Sequence, residues 1–254
     1  MGDLVSAVAI AGNTSGSVTL QAPAVAGAGT LTLPSGNVTL FSNVLNPGNT
    51  AAAPLSFAAG NVLTTATAGA IEYDGVAFYA TPSGALRGVI PGAQYFRINA
   101  NRAYPAGSGT NSVFGVGVTL ASNTVYVMEA EMVFSRSVAA SQYVNFGFGG
   151  TATLNSILYC AEMVISAQAI PATATTAGES IVITTTMTQI MPATNCLTVT
   201  MFLRGTVSVN AGGTFIPQQS QSATTGSYTL NAGSFFGLYP IGASGSNIAI
   251  GSWA

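Results

Sequence analysis

Between Tyr126 and Phe134 the chain reads YVMEAEMVF, and its alternation is complete. Tyr126, Met128, Ala130, Met132 and Phe134 fall to one side, and Val127, Glu129, Glu131 and Val133 to the other. Successive side chains of a β-strand point to opposite faces, so this segment has one face for a core and one half-solvated face. A helix would scatter the same residues around its axis.

Other segments follow the same two-residue period: Gln94–Ile98, Val113–Leu120, Gln142–Phe148, Ile157–Ile165, Ser180–Gln189, Leu197–Val209, Ser227–Phe236 and Asn247–Trp253. With Thr124–Phe134 they are joined by Gly, Asn, Ser or Pro turns, and ATATTAGE (172–179) reads as a loop. No segment carries a capped 3.6-residue stripe. The expected fold is all-β: residues 93–254 form an antiparallel, jelly-roll-like β-sandwich.

Charge is almost absent. Charged residues make up 5% of the chain, and the net charge is −2, with no Lys and no His. Ordinary domains carry roughly a quarter charged residues. Five scattered Arg make no basic tract, which argues against nucleic acid as a partner. No apolar run approaches the roughly 20 residues of a membrane span. LVSAVAIA (4–11) follows Asp3 without a basic flank, so it reads as an edge strand or anchor rather than a signal peptide. A surface this poor in charge suits a chain covered by permanent neighbours.

Residues 1–50 read as an extended arm. Gly-x-x-Thr-Leu occurs at Gly16–Leu20, Gly29–Leu33 and Gly36–Leu40. Val18, Leu20, Leu31, Leu33, Val38 and Leu40 are its apolar positions, and Pro23, Gly27 and Pro34 interrupt it. Strands this short need partners, either the body of the same chain or neighbouring subunits.

Residues 51–92 form a hairpin module. Ile71-Glu72-Tyr73 and Val76-Ala77-Phe78-Tyr79 flank Asp74-Gly75, which predicts a two-residue type I′ loop. In that register Tyr73 faces Val76 and Ile71 faces Phe78, giving one aromatic-aliphatic face that must dock on something. Pro91-Gly92 marks the boundary with the sandwich.

Catalytic constellations are few. Without His there is no Ser-His-Asp or Cys-His arrangement and no histidine metal ligand. Without Lys there is no Schiff base or P-loop lysine. Glu129 and Glu131 share a strand face roughly 7 Å apart, formally within glycosidase range, but they read as a solvated face that meets Arg136 or Arg204. Asp74 reads as a turn former rather than a calcium ligand, and FGFGGT (146–151) as close sheet packing rather than a phosphate loop. No cofactor and no metal is expected. Cys160 and Cys196 read as buried thiols, unless two strands bring them together. Arg87, Arg97 and Arg102 lie near the module boundary; they read equally as contacts to a neighbour's carboxylates, Glu72 or Glu179, and as ordinary surface arginines.

NTSGSVTLQAPAVAGAGTLTLPSG (13–36) resembles segments of structural proteins of tailed bacteriophages, and PLSFAAGNVLTTATAGAIEYDGVAFYATPSGALRGVI (54–90) resembles a second recurrent phage module. The resemblance implies a non-enzymatic virion protein whose partners are itself, as a homotrimer, and the major capsid protein or other virion proteins. With one short arm and one body, the chain suits a capsid decoration (cement) protein on the head surface. The assembly candidates are then the six arm residues above with Tyr73, Phe78, Arg87, Arg97 and Arg102. The alternative is a tail-fibre or receptor-binding protein, with YFRINANRAYPAGSG (95–109) and FFGLYPIGASG (235–245) as tip loops. A polysaccharide-cleaving enzyme is the remote third reading, because acids are so scarce.

Overall fold

The computed structural model describes residues 7–11, 17–21, 48–51, 53–105, 109–166, 177–221, 228–245, 247–250 and 253. The chain divides into two compact units, Met1–Ser56 and Phe57–Ala254. The described residues contain strands and no helix, so the fold is all-β.

In the first unit, β1 (Ala7–Ala11) pairs antiparallel with β2 (Ser17–Gln21), from Ala7 opposite Gln21 to Ala11 opposite Ser17. Ser17–Leu20 of the first Gly-x-x-Thr-Leu copy is thus strand, and Ala7–Ala11 of the LVSAVAIA segment is its partner. Leu31, Leu33, Val38 and Leu40 lie outside the described residues.

The second unit begins with a three-stranded antiparallel sheet, β3 (Ile71–Tyr73), β4 (Phe78–Ala80) and β5 (Gly88–Ile90). The hairpin exists, but its register differs from the expected one. Tyr73 faces Phe78 and Ile71 faces Ala80, so four residues rather than two close the loop. The reason is Asp74, whose Oδ1 accepts hydrogen bonds from the backbone N–H groups of Val76 (2.7 Å) and Ala77 (2.8 Å). Those donors cannot then serve a strand ladder, and the side chain builds the turn itself. The slip is by two residues, so the alternation of faces survives.

The remaining strands are β6 (Gln94–Arg97), β7 (Arg102–Ala103), β8 (Asn111–Ser112), β9 (Val118–Leu120), β10 (Thr124–Gly150), β11 (Thr153–Ser166), β12 (Ala177–Val182), β13 (Thr188–Ala211), β14 (Gly213–Gln221), β15 (Tyr228–Leu230) and β16 (Phe235–Ala243). They form one antiparallel sheet whose central path runs β12-β11-β13-β10-β14-β8. β10 organises it. One edge pairs with β13 along most of its length, and the other pairs in turn with β16, β15 and β14.

This sheet folds onto itself as a sandwich. Ala130 of β10 faces Phe236 of β16, yet the ring of Phe148, far along the same strand, lies 6.2 Å from Phe236 and 5.4 Å from Tyr159 of β11. The strand therefore turns back between those points. Its register against β13 shifts between Ser135 and Ala140 and again between Gln142 and Asn145, and such bulges let a strand pass from one layer to the other. Tyr126, Met128, Ala130, Met132 and Phe134 are all buried, as the alternation predicts, and Val144, Phe146 and Phe148 continue the inward face in the second layer. Met163, Met201, Leu203 and Tyr159 meet them from β11 and β13.

Several sequence boundaries move. Thr124–Phe134 and Gln142–Phe148 are one strand, because the bulges bend the chain without ending its pairing. Ser180–Gln189 is interrupted by the Thr184–Thr186 turn, where the Thr184 hydroxyl accepts from the Thr186 N–H. Ser227–Phe236 divides at an Asn231–Ser234 turn, and Val113–Leu120 becomes strand only at β9. Residues 247–250 are not strand, and Ala177–Glu179, read as loop, opens β12. Cys160 faces Arg204, whereas Cys196 faces Ala140 farther along β13. Eight strand positions, about 26 Å, are far too long for a disulfide between them. Cys160 is half-buried rather than buried.

Candidate functional site

Two clusters hold the chemistry-bearing side chains. The first is the hairpin. Arg87 binds Glu72 through Nε–Oε2 at 2.9 Å, and its Nη2 donates to the Leu63 carbonyl at 2.6 Å. The Leu63 N–H in turn donates to Glu72 Oε1 at 2.5 Å. The Arg87–Glu72 contact expected between subunits is made inside one chain, and it ties the 57–65 segment to the sheet. Asp74 accepts a third bond from the Tyr79 hydroxyl at 2.8 Å. With these bonds both carboxylates are engaged in building the hairpin. Tyr73 stacks on Phe78 at 4.4 Å, and Phe57 meets Phe78 edge-on.

The second cluster lies on the outer face of the larger layer. The strand register aligns two neighbouring rows. One runs Tyr95, Gly237, Glu129, Arg204, Cys160, Ile181 across β6, β16, β10, β13, β11 and β12. The next runs Arg97, Phe235, Glu131, Phe202, Glu162, Glu179 across the same strands. A Cβ on Gly237 would collide with the Tyr95 ring, so that ring lies flat across the glycine. One ring face rests on the sheet and the other is open, with 57% of the residue exposed. The Tyr95 hydroxyl donates to Glu129 Oε1 at 2.6 Å, and this bond, together with slight desolvation and the carboxylate's charge, raises the phenol's pKa.

Arg204 stands opposite Glu129, yet neither Arg97 nor Arg204 comes within ion-pair distance of a described carboxylate. Arg136, the other partner considered for these acids, has the parity of Met132 and Phe134. It is buried inside the sandwich, its guanidinium 5.2 Å above the Tyr228 ring. Where the layers part, β6 and β9 flank an open apolar groove of about 300 Å³ lined by Phe96, Phe114, Val116, Val118, Pro217 and Phe236.

Arg87, Arg97 and Arg102, close in sequence, take separate posts. Arg87 sits in the hairpin network, Arg97 on β6, and Arg102 on β7 with its guanidinium 5.9 Å from the Tyr104 centroid. Tyr73 and Phe78 come together, and Val18 and Leu20 face Ile10 and Val8 along β1. The segments expected as tip loops behave differently. Gln94–Arg97 and Phe235–Leu238 are paired strands, which brings Tyr95, Arg97 and Phe235 onto one face. Sequence reasoning put Tyr95 in a tip loop and Arg204 beside Glu129 or Glu131 as separate features; only long-range register brings the three onto one face. The glycines of FGFGGT serve close packing: Gly150, at φ +117°, leaves no room for a Cβ beside the Thr214 carbonyl.

No family model matches the chain, and no curated protein matches it. Among solved structures it is similar to a chain of "Structure of infectious bursal disease virus Gx strain", at 10% identity and a TM-score of 0.18. That similarity covers 61% of this chain and 41% of the viral chain. At this level it assigns no role to any residue here.

Proposed function

We propose that the chain is a non-enzymatic structural protein of a virion, a capsid decoration (cement) protein that stabilises a phage head through strand-mediated contacts between subunits. Its partners in this reading are its own copies, as a homotrimer, and the major capsid protein. The observation that carries the proposal is β2. Ser17–Gln21, from the first Gly-x-x-Thr-Leu copy, forms a strand whose only pairing among the described residues is with β1. A two-stranded ribbon is marginal by itself, and edges left without a partner among the described residues offer backbone groups for further pairing. Two more copies of the same unit follow in sequence. Added strands supply main-chain hydrogen bonds, and symmetric repetition multiplies modest contacts.

A second reading, a tail-fibre or receptor-binding protein contacting the host surface, is favoured by one observation. The starts of the 95–109 and 235–245 segments pair in β6 and β16, which display Tyr95, Arg97 and Phe235. Labelling intact virions with an antibody raised against residues 93–254, read by electron microscopy, separates the two. Regular label over the head supports the cement reading. Label confined to the tail overturns it in favour of the second.

A further inference from the structure

We infer that the outer face around Tyr95 is a binding site for a neutral pyranose of an oligosaccharide. The inference deepens the receptor-binding reading and rests on it for a biological ligand, but its chemistry stands on the face itself.

The first observation is where the charge has gone. Five Arg and seven acids are the chain's whole charge. Five of them, Arg97, Arg204, Glu129, Glu131 and Glu162, occupy two adjacent rows of one sheet face. A chain this sparing with charge has no solubility reason to gather so much of it in one place. An apolar partner closing over those rows would bury unpaired charges at a heavy cost. The face therefore suits a polar, hydrated ligand.

The second observation is the ring. Tyr95 lies flat over Gly237 with its outer face open, and Phe235 flanks it at 6.1 Å. Its hydroxyl is fixed by Glu129, so the ring cannot swing freely. A pyranose offers C–H groups on its face and hydroxyls at its rim. The ring takes the face, as an aromatic surface does for any apolar patch. Around it, Glu129 keeps its second oxygen as an acceptor, Glu131 adds two more, and Arg204 brings a fork of donors. Neighbouring strands are about 5 Å apart and successive outward residues about 7 Å, which matches the span of one sugar ring and its substituents.

Sign selects the class. Beside the ring, Glu129 and Glu131 balance Arg97 and Arg204, so no net positive charge is there to hold a sialylated or uronic sugar, which leaves neutral ones. A flat site binds weakly, with Kd on the order of 1 mM, so many displayed copies are needed for retention.

The test uses the full chain and multivalent polymers carrying galactose, glucose or N-acetylglucosamine, with a sialic-acid polymer as control. At least one neutral polymer should retain the protein. Tyr95→Ala should cut retention at least tenfold and Tyr95→Phe less, since the ring remains. Arg204→Ala, at an exposed position, should also weaken it and serves if Tyr95→Ala loses its β circular dichroism. Retention of no neutral polymer, equal binding by the variants, or preference for sialic acid overturns the inference. Virion labelling reports on the receptor reading separately: tail label with no sugar retention sinks only the site, and head label with retention sinks only the tail location.

Discussion

The Tyr79 hydroxyl donates a 2.8 Å hydrogen bond to Asp74 Oδ2, and this bond acts on the two residues in opposite senses. Burial alone would raise the Asp74 pKa, but the bonds from Ala77, Val76 and Tyr79 together hold it below the usual value. Burial first, and then the bond to Asp74, pushes Tyr79 up to about 12. A depressed carboxyl stabilises the fold above its unfolded pKa, near 4, and that stability is lost as pH falls through the lower folded value. Asp74→Ala should lower stability by about 1–2 kcal/mol at neutral pH and flatten the pH dependence below about 4. Denaturant unfolding of both proteins from pH 2 to 7 measures this, and parallel curves would refute it.

At the alkaline end the sign reverses. Tyr79 and the fully buried Tyr159, also pushed by burial to about 12, hold their protons longer when folded. Their contribution is complete below the unfolded tyrosine value, near 10, and is lost as pH rises towards 12. Absorbance at 295 nm should show a late tyrosine class that ionises together with unfolding. The Tyr159 hydroxyl has no hydrogen-bond partner among the described residues. Tyr159→Phe should therefore leave stability unchanged or raise it by up to about 1 kcal/mol, because it removes an unsatisfied buried group.

Arg87 binds Glu72 and the Leu63 carbonyl through different nitrogens of one planar group. A lysine ammonium is a single donor centre on a shorter stem and cannot reproduce the spacing of Nε and Nη2. Arg87→Ala should cost about 1–2 kcal/mol, and Arg87→Lys should recover little of it. Amide exchange at Leu63 should rise in both variants, and full protection in Arg87→Lys would show that charge alone suffices.

Phe148 stacks on Phe215 at 4.3 Å and also touches the rings of Phe146, Tyr159 and Phe236. It joins the layers where β10 has crossed over. Phe148→Ala should cost about 3–5 kcal/mol, the largest loss among these variants, by chemical denaturation. A loss below about 1 kcal/mol would mean the layers do not depend on this contact.

The fold class was legible because period-two alternation needs no long-range information. Tyr126, Met128, Ala130, Met132 and Phe134 turned inward as their spacing required, and the dipeptide Asp74-Gly75 marked a real turn. The length of that turn was not legible, because it depended on whether the Asp74 carboxylate or a cross-strand carbonyl would take the Val76 and Ala77 amides. Nor was the continuity of β10, since a bulge and a strand end leave the same polar, small-residue signature at 135–142.

The sequence by itself determined an all-β chain, with scarce charge and a repeated arm unit, because composition and alternation are local properties. Only the tertiary structure decided which charges are neighbours. Arg87 found Glu72 within its own module, Arg136 went inside, and Tyr95 reached Glu129 across Gly237. A loop before β5 carries Arg87 to Glu72, and strand register sets the other two; register is fixed by the burial of the opposite face and by bulges, which no short stretch of sequence records.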